Sequence, residues 1–252
     1  GVIKRLLTET DPITYESEWF TLNKAQLHLR PYTQPHFPIA AAAAQSPSGM
    51  VLAGKHGLGV LSVSVVRGGG YARDMKDFWK IAEDTAEEYG NVMDRNEWRL
   101  VTHVHLAESK KEAMAQARER AGAYQREYFE QTLGMAAAYD GPQNQIVDEM
   151  VERGAWCVGT PDDLIEHIHR LDESSGGFGG LMIQATEWGT REQVVHSYEL
   201  VARYVMPEFQ GSLVSLRKSQ QQSVDIRDEL QVMQQKSLQK AVTDYENRSS
   251  AD

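Results

Sequence analysis

Two serines at the end of an alanine-rich run carry side chains that suit anion binding. Ser46, Pro47, Ser48 and Gly49 follow the run 39–44. We predict Ser46 as a helix N-cap and Pro47 as the first helical residue, a position that proline favours. The first turn then offers backbone N–H groups and two hydroxyls to a phosphate. The same residues also suit an ordinary helix start with the alanines packed on another helix, and spacing leaves both interpretations open.

Histidines occur in two closely spaced pairs. His103 and His105 are two apart in a predicted strand, so both point to one face. We predict that His105 lies nearer the functional end of that strand, as a pocket-lining residue or as a hydrogen-bonded core histidine. No third ligand is close in sequence, and we predict no metal site. His167 and His169 are two apart on a predicted helix, so they do not share a face, and we expect both at the surface.

Three further side chains are candidates for contact with a small molecule. Arg67 precedes three glycines after the second predicted strand, in a segment that suits either a lid or a solvated loop. Trp188 follows the last predicted strand, where its indole suits stacking on a planar ligand or ordinary packing. With His105, we take Arg67, Gln184 and Trp188 as candidates for lining a substrate pocket.

The elements that position these residues alternate between strand and helix. The strands are too apolar for a sheet with one solvated face, so the order predicts an α/β fold with a parallel sheet. Right-handed crossovers then allow an open doubly wound sheet or a barrel. Four strand–helix units equal half of an eight-stranded (β/α)8 TIM-type barrel. The predicted strands are 39–44, 58–66, 98–106 and 181–185.

The composition changes near residue 211. The stretch 219–223 is rich in Gln and Ser, and 224–245 has a helical pattern with a modest apolar stripe. We therefore predict a barrel portion over 1–210 and a polar helical tail over 211–252.

Composition excludes several classes of protein. A net charge of −10 argues against general nucleic-acid binding, whose footprint is basic. The single cysteine, Cys157, excludes an intramolecular disulfide framework, and its apolar neighbours predict a buried, inert thiol. No apolar run has the ~18 residues of a membrane span, and no secretory signal is visible. We expect a cytoplasmic protein, and the uncapped helical start at Gly1 suggests a piece of a longer chain.

The order and spacing of several stretches over about 1–211 are similar to those of the bacterial-luciferase-like flavin monooxygenases. No single motif decides this resemblance, but the set together is specific. The stretches are PYTQPHFPIAAAAAQSPSG (31–49), GLGVLS (57–62), HLAES (105–109), VGTPDDL (158–164), GGLMIQ (179–184) and 197–209.

This resemblance implies a (β/α)8 barrel that binds reduced FMN. It places the flavin phosphate at Ser46, Ser48 and the backbone of Gly49, with Gln45 beside the isoalloxazine ring. The family's first four strands, with the residues often found near the flavin, would precede Gly1. The catalytic residues are therefore expected upstream, and the chain alone is expected to be inactive.

The function implied is that of an FMN-dependent monooxygenase, which uses reduced flavin and molecular oxygen to oxygenate a small organic substrate. A separate NAD(P)H-dependent flavin reductase would supply the reduced FMN, and a homodimer is the usual assembly. Two alternatives stay open: a deazaflavin-dependent hydride-transfer enzyme of the same superfamily, and a non-catalytic flavin-binding subunit. The sequence does not identify the substrate.

Overall fold

The computed structural model of the chain describes residues 1–44, 46–65 and 74–249, and it divides into two compact units, Gly1–Leu200 and Val201–Asp252. The composition change near residue 211 falls inside the second unit. Gln45 and Arg67, both candidate site residues, lie outside the described residues.

The first unit begins with a helix and a two-stranded antiparallel sheet, β1-β2, and from residue 40 onward its strands are separated by helices. Its strands are β1 (Ile13–Glu16), β2 (Thr21–Ala25), β3 (Ala40–Ala43), β4 (Gly59–Ser62), β5 (Trp98–Leu106), β6 (Trp156–Gly159) and β7 (Gly180–Gln184). Its helices are α1 (Val2–Thr8), α2 (Ser48–His56), α3 (Met75–Glu88), α4 (Lys110–Ala123), α5 (Ile146–Glu152), α6 (Pro161–Ser175) and α7 (Arg191–Leu200). A π-helical segment, Tyr124–Thr132, continues α4.

The second unit is helical in its described part. It contains a π-helical segment, Val201–Val205, and the helices α8 (Met206–Phe209), α9 (Val214–Asp225) and α10 (Arg227–Ser249). None of the helices in the described part of the chain is both long and apolar enough to cross a membrane.

The five strands β3 to β7 form one parallel sheet, which confirms the predicted α/β fold class with a parallel sheet. Arg99 of β5 pairs with β4 and with β7, and His103 pairs with β6 and with β7. β4 and β6 therefore share one edge of β5, while β7 occupies the other. The four predicted strands lie side by side in the order β3-β4-β5-β7. β6 was missed by the sequence analysis, and β4 is shorter than the predicted 58–66.

The first core, here called the outer cluster, lies between the sheet and α2, α3 and α6. Trp98 of β5 stacks on Trp79 of α3 with ring centroids 4.7 Å apart, and both are fully buried. The Arg95 guanidinium lies 5.3 Å from the Trp79 ring and donates to the carbonyl oxygens of Ser175 and Gly177. This contact ties the end of α6 to the start of β5.

The second core, here called the inner cluster, covers the other face of β5 and β6. Ala113, Ala117 and Ala121 recur every fourth residue on α4 and are fully buried. Their small side chains allow α4 to approach Trp156 of β6 and Trp188, whose ring centroids lie 4.5 Å apart. Paired residues share a face of a sheet, so the pairing of His103 with Trp156 places His103 on the inner-cluster side.

Candidate functional site

The turn between β3 and α2 lies at the carboxyl end of β3, where parallel α/β folds place ligands. α2 begins at Ser48, with Pro47 as its N-cap residue in α-helical geometry (φ −66°, ψ −12°). The carbonyl oxygen of Pro47 accepts from the N–H of Val51 at 2.9 Å. The prediction of Ser46 as the N-cap was therefore wrong: Pro47 occupies that position, because its carbonyl oxygen accepts the first intrahelical hydrogen bond, and Ser46 lies one residue before it.

The N-terminus of α2 has no side-chain cap among the described residues and no acidic residue in its first turn. The exposed hydroxyls of Ser46 and Ser48 contact each other at 2.7 Å. Lys55 and His56 occupy the last turn, where positive charge complements the helix dipole. The open end of α2 thus offers hydroxyls and backbone N–H groups of the kind that bind phosphate.

Close packing explains the small residues around this turn. Ala41 and Ala43 are buried, whereas Ala40 and Ala42 are exposed on the opposite face of β3. A Cβ atom added to Gly49 would lie 2.8 Å from Cα of Ala43. Gly49 therefore allows α2 to contact the β3 backbone, and the buried alanines pack against this helix.

His103 is enclosed by aromatic rings. Its ring stacks on Trp188 with centroids 5.3 Å apart and an interplanar angle of 8°, and edges of Tyr124, Phe129 and Trp156 surround it. Burial lowers the pKa of His103 to about 4, so the ring is neutral at physiological pH. Among the described residues, neither His103 Nε2 nor Trp188 Nε1 has a hydrogen-bond partner.

Gln184 lies at the carboxyl end of β7, opposite His103 in the sheet register. Its side-chain amide donates to the Tyr124 hydroxyl at 3.0 Å. Tyr124 in turn stacks on Tyr128. Gln184 therefore connects the end of β7 to the π-helical segment.

His105 is buried and hydrogen-bonded. Its Nε2 lies 2.9 Å from Oε1 of Gln116 on α4. Burial lowers the pKa of His105, while the bond to Gln116 opposes this shift. A Cβ atom added to Gly189 would lie 3.1 Å from Cε1 of the ring, so the backbone after β7 packs against it.

A cavity of about 570 Å³ runs along β6 on the side covered by α6. His167 lines it and is 2% exposed, so the prediction of a surface position was wrong. Burial, followed by the charge of Arg170, lowers the pKa of His167 to about 4. Cys157 also lines the cavity, and burial raises its thiol pKa to about 12, which confirms a buried thiol.

The sequence-based site residues fall into two groups at the carboxyl ends of the parallel strands. Ser46, Ser48 and Gly49 follow β3, while His105, Gln184 and Trp188 lie on or after β5 and β7. Trp188 is 1% exposed and packs within the inner cluster. Three side chains in contact with the second group, or with His103 beside it, carry no local sequence signal. Gln116 contacts His105, Tyr124 contacts Gln184, and Phe129 contacts His103.

A family model and two curated relatives identify similar proteins, and all three are described as monooxygenases. The family model described as luciferase-like monooxygenase matches residues 1–177. The chain is 37% identical over 214 residues to 4-hydroxyprotoasukamycin monooxygenase of Streptomyces nodosus subsp. asukaensis, covering 84% of this chain and 57% of that protein. It is 38% identical over 213 residues to limonene 1,2-monooxygenase of Rhodococcus erythropolis, covering 84% and 53%.

A solved structure shares the fold. The oxygenating constituent of 3,6-diketocamphane monooxygenase from Pseudomonas putida, in complex with FMN, aligns with a TM-score of 0.61 at 20% identity, over 82% of this chain and 60% of that one. The chain spans little more than half the length of the curated relatives that it matches.

Proposed function

Because this chain belongs to the luciferase-like monooxygenase family, we propose that the protein is an FMN-dependent monooxygenase that oxygenates a small organic substrate with molecular oxygen. When bound, reduced FMN would supply the electrons for oxygen activation, so that one oxygen atom would pass to the substrate and the other would leave as water. The chain's own residues bind the flavin, orient the substrate and exclude water.

The observation that carries this proposal is the open N-terminus of α2. Ser46 and Ser48 carry exposed hydroxyls after the carboxyl end of β3, and no described side chain caps the helix. These hydroxyls and the first-turn N–H groups, including that of Gly49, would bind the FMN phosphate. Hydrogen bonds to a charged group contribute about 1.5–3 kcal/mol each, and the helix dipole adds about 0.3–1 kcal/mol. Gln45, the preceding residue, would lie beside the isoalloxazine ring.

The second group of residues would line the substrate side. His105 and Gln184 offer polar contacts, while His103 and Trp188 add an apolar, uncharged surface because His103 stays neutral. Such a surface excludes water from a reactive centre. Arg67, which lies outside the described residues, stays a candidate for lining this pocket.

We also propose a separate NAD(P)H-dependent flavin reductase as the source of reduced FMN, a homodimeric assembly and a cytoplasmic location.

Isothermal titration of this chain with FMN and with riboflavin tests the phosphate site. FMN should bind more tightly than riboflavin, and Ser46→Ala should weaken FMN binding by about 1–3 kcal/mol, which is about 5- to 150-fold in Kd. Riboflavin affinity should not change. Ser215→Ala, an exposed serine on α9, is the matched control.

Equal FMN affinity in Ser46→Ala and the parent chain would remove Ser46 from the site. Titration with the deazaflavin cofactor F420 separates the hydride-transfer alternative, because tight F420 binding without FMN binding would favour it. Incorporation of labelled oxygen from O2 into the product by the full-length protein would favour the monooxygenase.

A further inference from the structure

Two consecutive hydrogen bonds connect α4 to the buried carboxyl end of β5. Gln116 Nε2 donates to Oε1 of Glu112 at 3.0 Å, one turn earlier on α4. Oε1 of the same Gln116 side chain lies 2.9 Å from Nε2 of His105. His105 is 2% exposed, so water cannot readily replace Gln116 as the hydrogen-bond partner of its Nε2 atom.

The direction of both bonds follows from the chemistry of the three groups. An ionised carboxylate only accepts hydrogen bonds, so Glu112 requires the NH2 group of Gln116 to face it. The amide oxygen of Gln116 must then face His105, and this oxygen also only accepts. Nε2 of His105 therefore carries the proton. Burial favours the neutral ring, which has one N–H, so Nδ1 holds a free lone pair.

Neighbouring contacts hold the ring in this orientation. The Cε1 edge of His105 faces Gly189, where a side chain would intrude. Arg120, one turn after Gln116 on α4, donates to the carbonyl oxygen of Gly189 at 3.0 Å. α4 thus positions both the Nε2 edge of His105 and the backbone that packs against Cε1, and Nδ1 is the remaining polar atom of the ring.

We propose that Gln116 is a positioning residue that fixes His105 as the Nε2–H tautomer, so that Nδ1 accepts a hydrogen bond from an O–H or N–H group of the bound ligand. The hydrogen bond from a ligand to Nδ1 rests on the proposed function, whereas the Nε2–H tautomer of His105 depends only on residues of this chain. His105 in this state selects for ligands that donate a hydrogen bond at this point.

Nitrogen-15 NMR of the histidine-labelled chain tests the tautomer without any flavin. At neutral pH, the His105 signals, identified by their loss in His105→Gln, should show a protonated Nε2 and an unprotonated Nδ1. Gln116→Leu removes the acceptor and should yield a mixture of tautomers. Gln116→Glu restores an acceptor and should restore the Nε2–H form. Glu119→Leu, an exposed position on the same helix, is the control and should match the parent chain.

An Nδ1–H tautomer in the parent chain, or a spectrum of Gln116→Leu identical to that of the parent, would overturn the proposal. Circular dichroism of each variant separates a tautomer change from unfolding. In the ligand arm, FMN or a substrate should shift the His105 Nδ1 signal, and no shift at saturation would remove the acceptor role. Failure of the phosphate site would instead appear in the Ser46→Ala titration, so the two proposals fail separately.

Discussion

A hydroxyl residue followed by a proline lies at the start of both α2 and α6, but the two N-termini differ in side-chain capping. Thr160-Pro161 opens α6, where Thr160 Oγ1 accepts from the N–H of Asp163 and the Thr160 N–H donates to Asp163 Oδ2 at 2.8 Å. Ser46-Pro47 opens α2, which has no side-chain cap. α6 also carries Asp162 and Asp163 in its first turn, whereas α2 has no acidic residue there.

The difference arises three residues after each hydroxyl. Asp163 occupies this position in α6 and completes the capping box. Gly49 occupies it in α2, where any Cβ atom would collide with the β3 backbone. Tight packing of α2 on β3 thus excludes an acidic side chain at Gly49, and Pro47, the N-cap residue, has no side-chain oxygen that could cap the helix. One N-terminus is closed by its own side chains, and the other is left open to an external anion.

The largest effect is expected from Gly49→Ala. The added methyl group meets backbone and side-chain atoms of Ala43 at 2.8–2.9 Å, and these cannot move without displacing β3. Overpacking of this kind lowers the free energy of unfolding by about 1–3 kcal/mol. Urea denaturation would measure the loss. Val51→Ala, at a 41% exposed position of the same helix, should change stability far less, and equal losses would contradict the packing argument.

A smaller loss is expected from Thr160→Ala, about 1 kcal/mol, the usual cost of removing a cap. Ser46→Ala should change the unfolding free energy by less than about 0.5 kcal/mol, because Ser46 caps nothing. Urea denaturation of both variants gives the comparison. Equal losses of unfolding free energy in Thr160→Ala and Ser46→Ala would mean that Ser46 caps the N-terminus of α2.

The Thr160→Ala effect should also depend on pH. Burial alone raises the pKa of Asp163, but hydrogen bonds from Thr160 and the charge of Lys110 outweigh it and lower the pKa. Stabilisation by a group with a lowered pKa is present above the ordinary value of 3.8 and is lost as pH falls through the folded value. The difference between Thr160→Ala and the parent chain should therefore shrink in acid.

A further small effect is expected from Ser48→Asp, which gives α2 the acidic first turn of α6. The new charge should stabilise the helix dipole by about 0.3–1 kcal/mol, while it should repel phosphate and weaken FMN binding. Urea denaturation and isothermal titration measure the two changes. Ser48→Asn, similar in size but uncharged, separates charge from shape. A tighter FMN complex in Ser48→Asp would contradict the proposed phosphate site.

The sequence predicted much of the fold because its local signals agree. Apolar runs located four of the five strands of the parallel sheet. β6 was not predicted because it has only four residues and lies directly before a strong helix start. It forms by pairing with His103–Leu106, a segment that is distant in sequence.

The site was less predictable because its contacts are between distant residues. Gln116 contacts His105 from eleven positions away, and no local pattern marks that pair. His167 was different: it falls three residues after Leu164 and four before Leu171, both buried. That apolar stripe was a usable signal for the buried position of His167.

The paired indoles give each core its own optical reporter. Four of the five tryptophans form two close pairs, Trp79 with Trp98 in the outer cluster and Trp156 with Trp188 in the inner cluster. Rings this close couple their electronic transitions, so each pair should contribute an exciton signal to circular dichroism. Two variants, each with phenylalanine in place of one tryptophan of one pair, should each lose the exciton signal of that pair and keep the signal of the other pair. Circular dichroism of the two variants during heating would then show whether the outer or the inner cluster loses its exciton signal at the lower temperature.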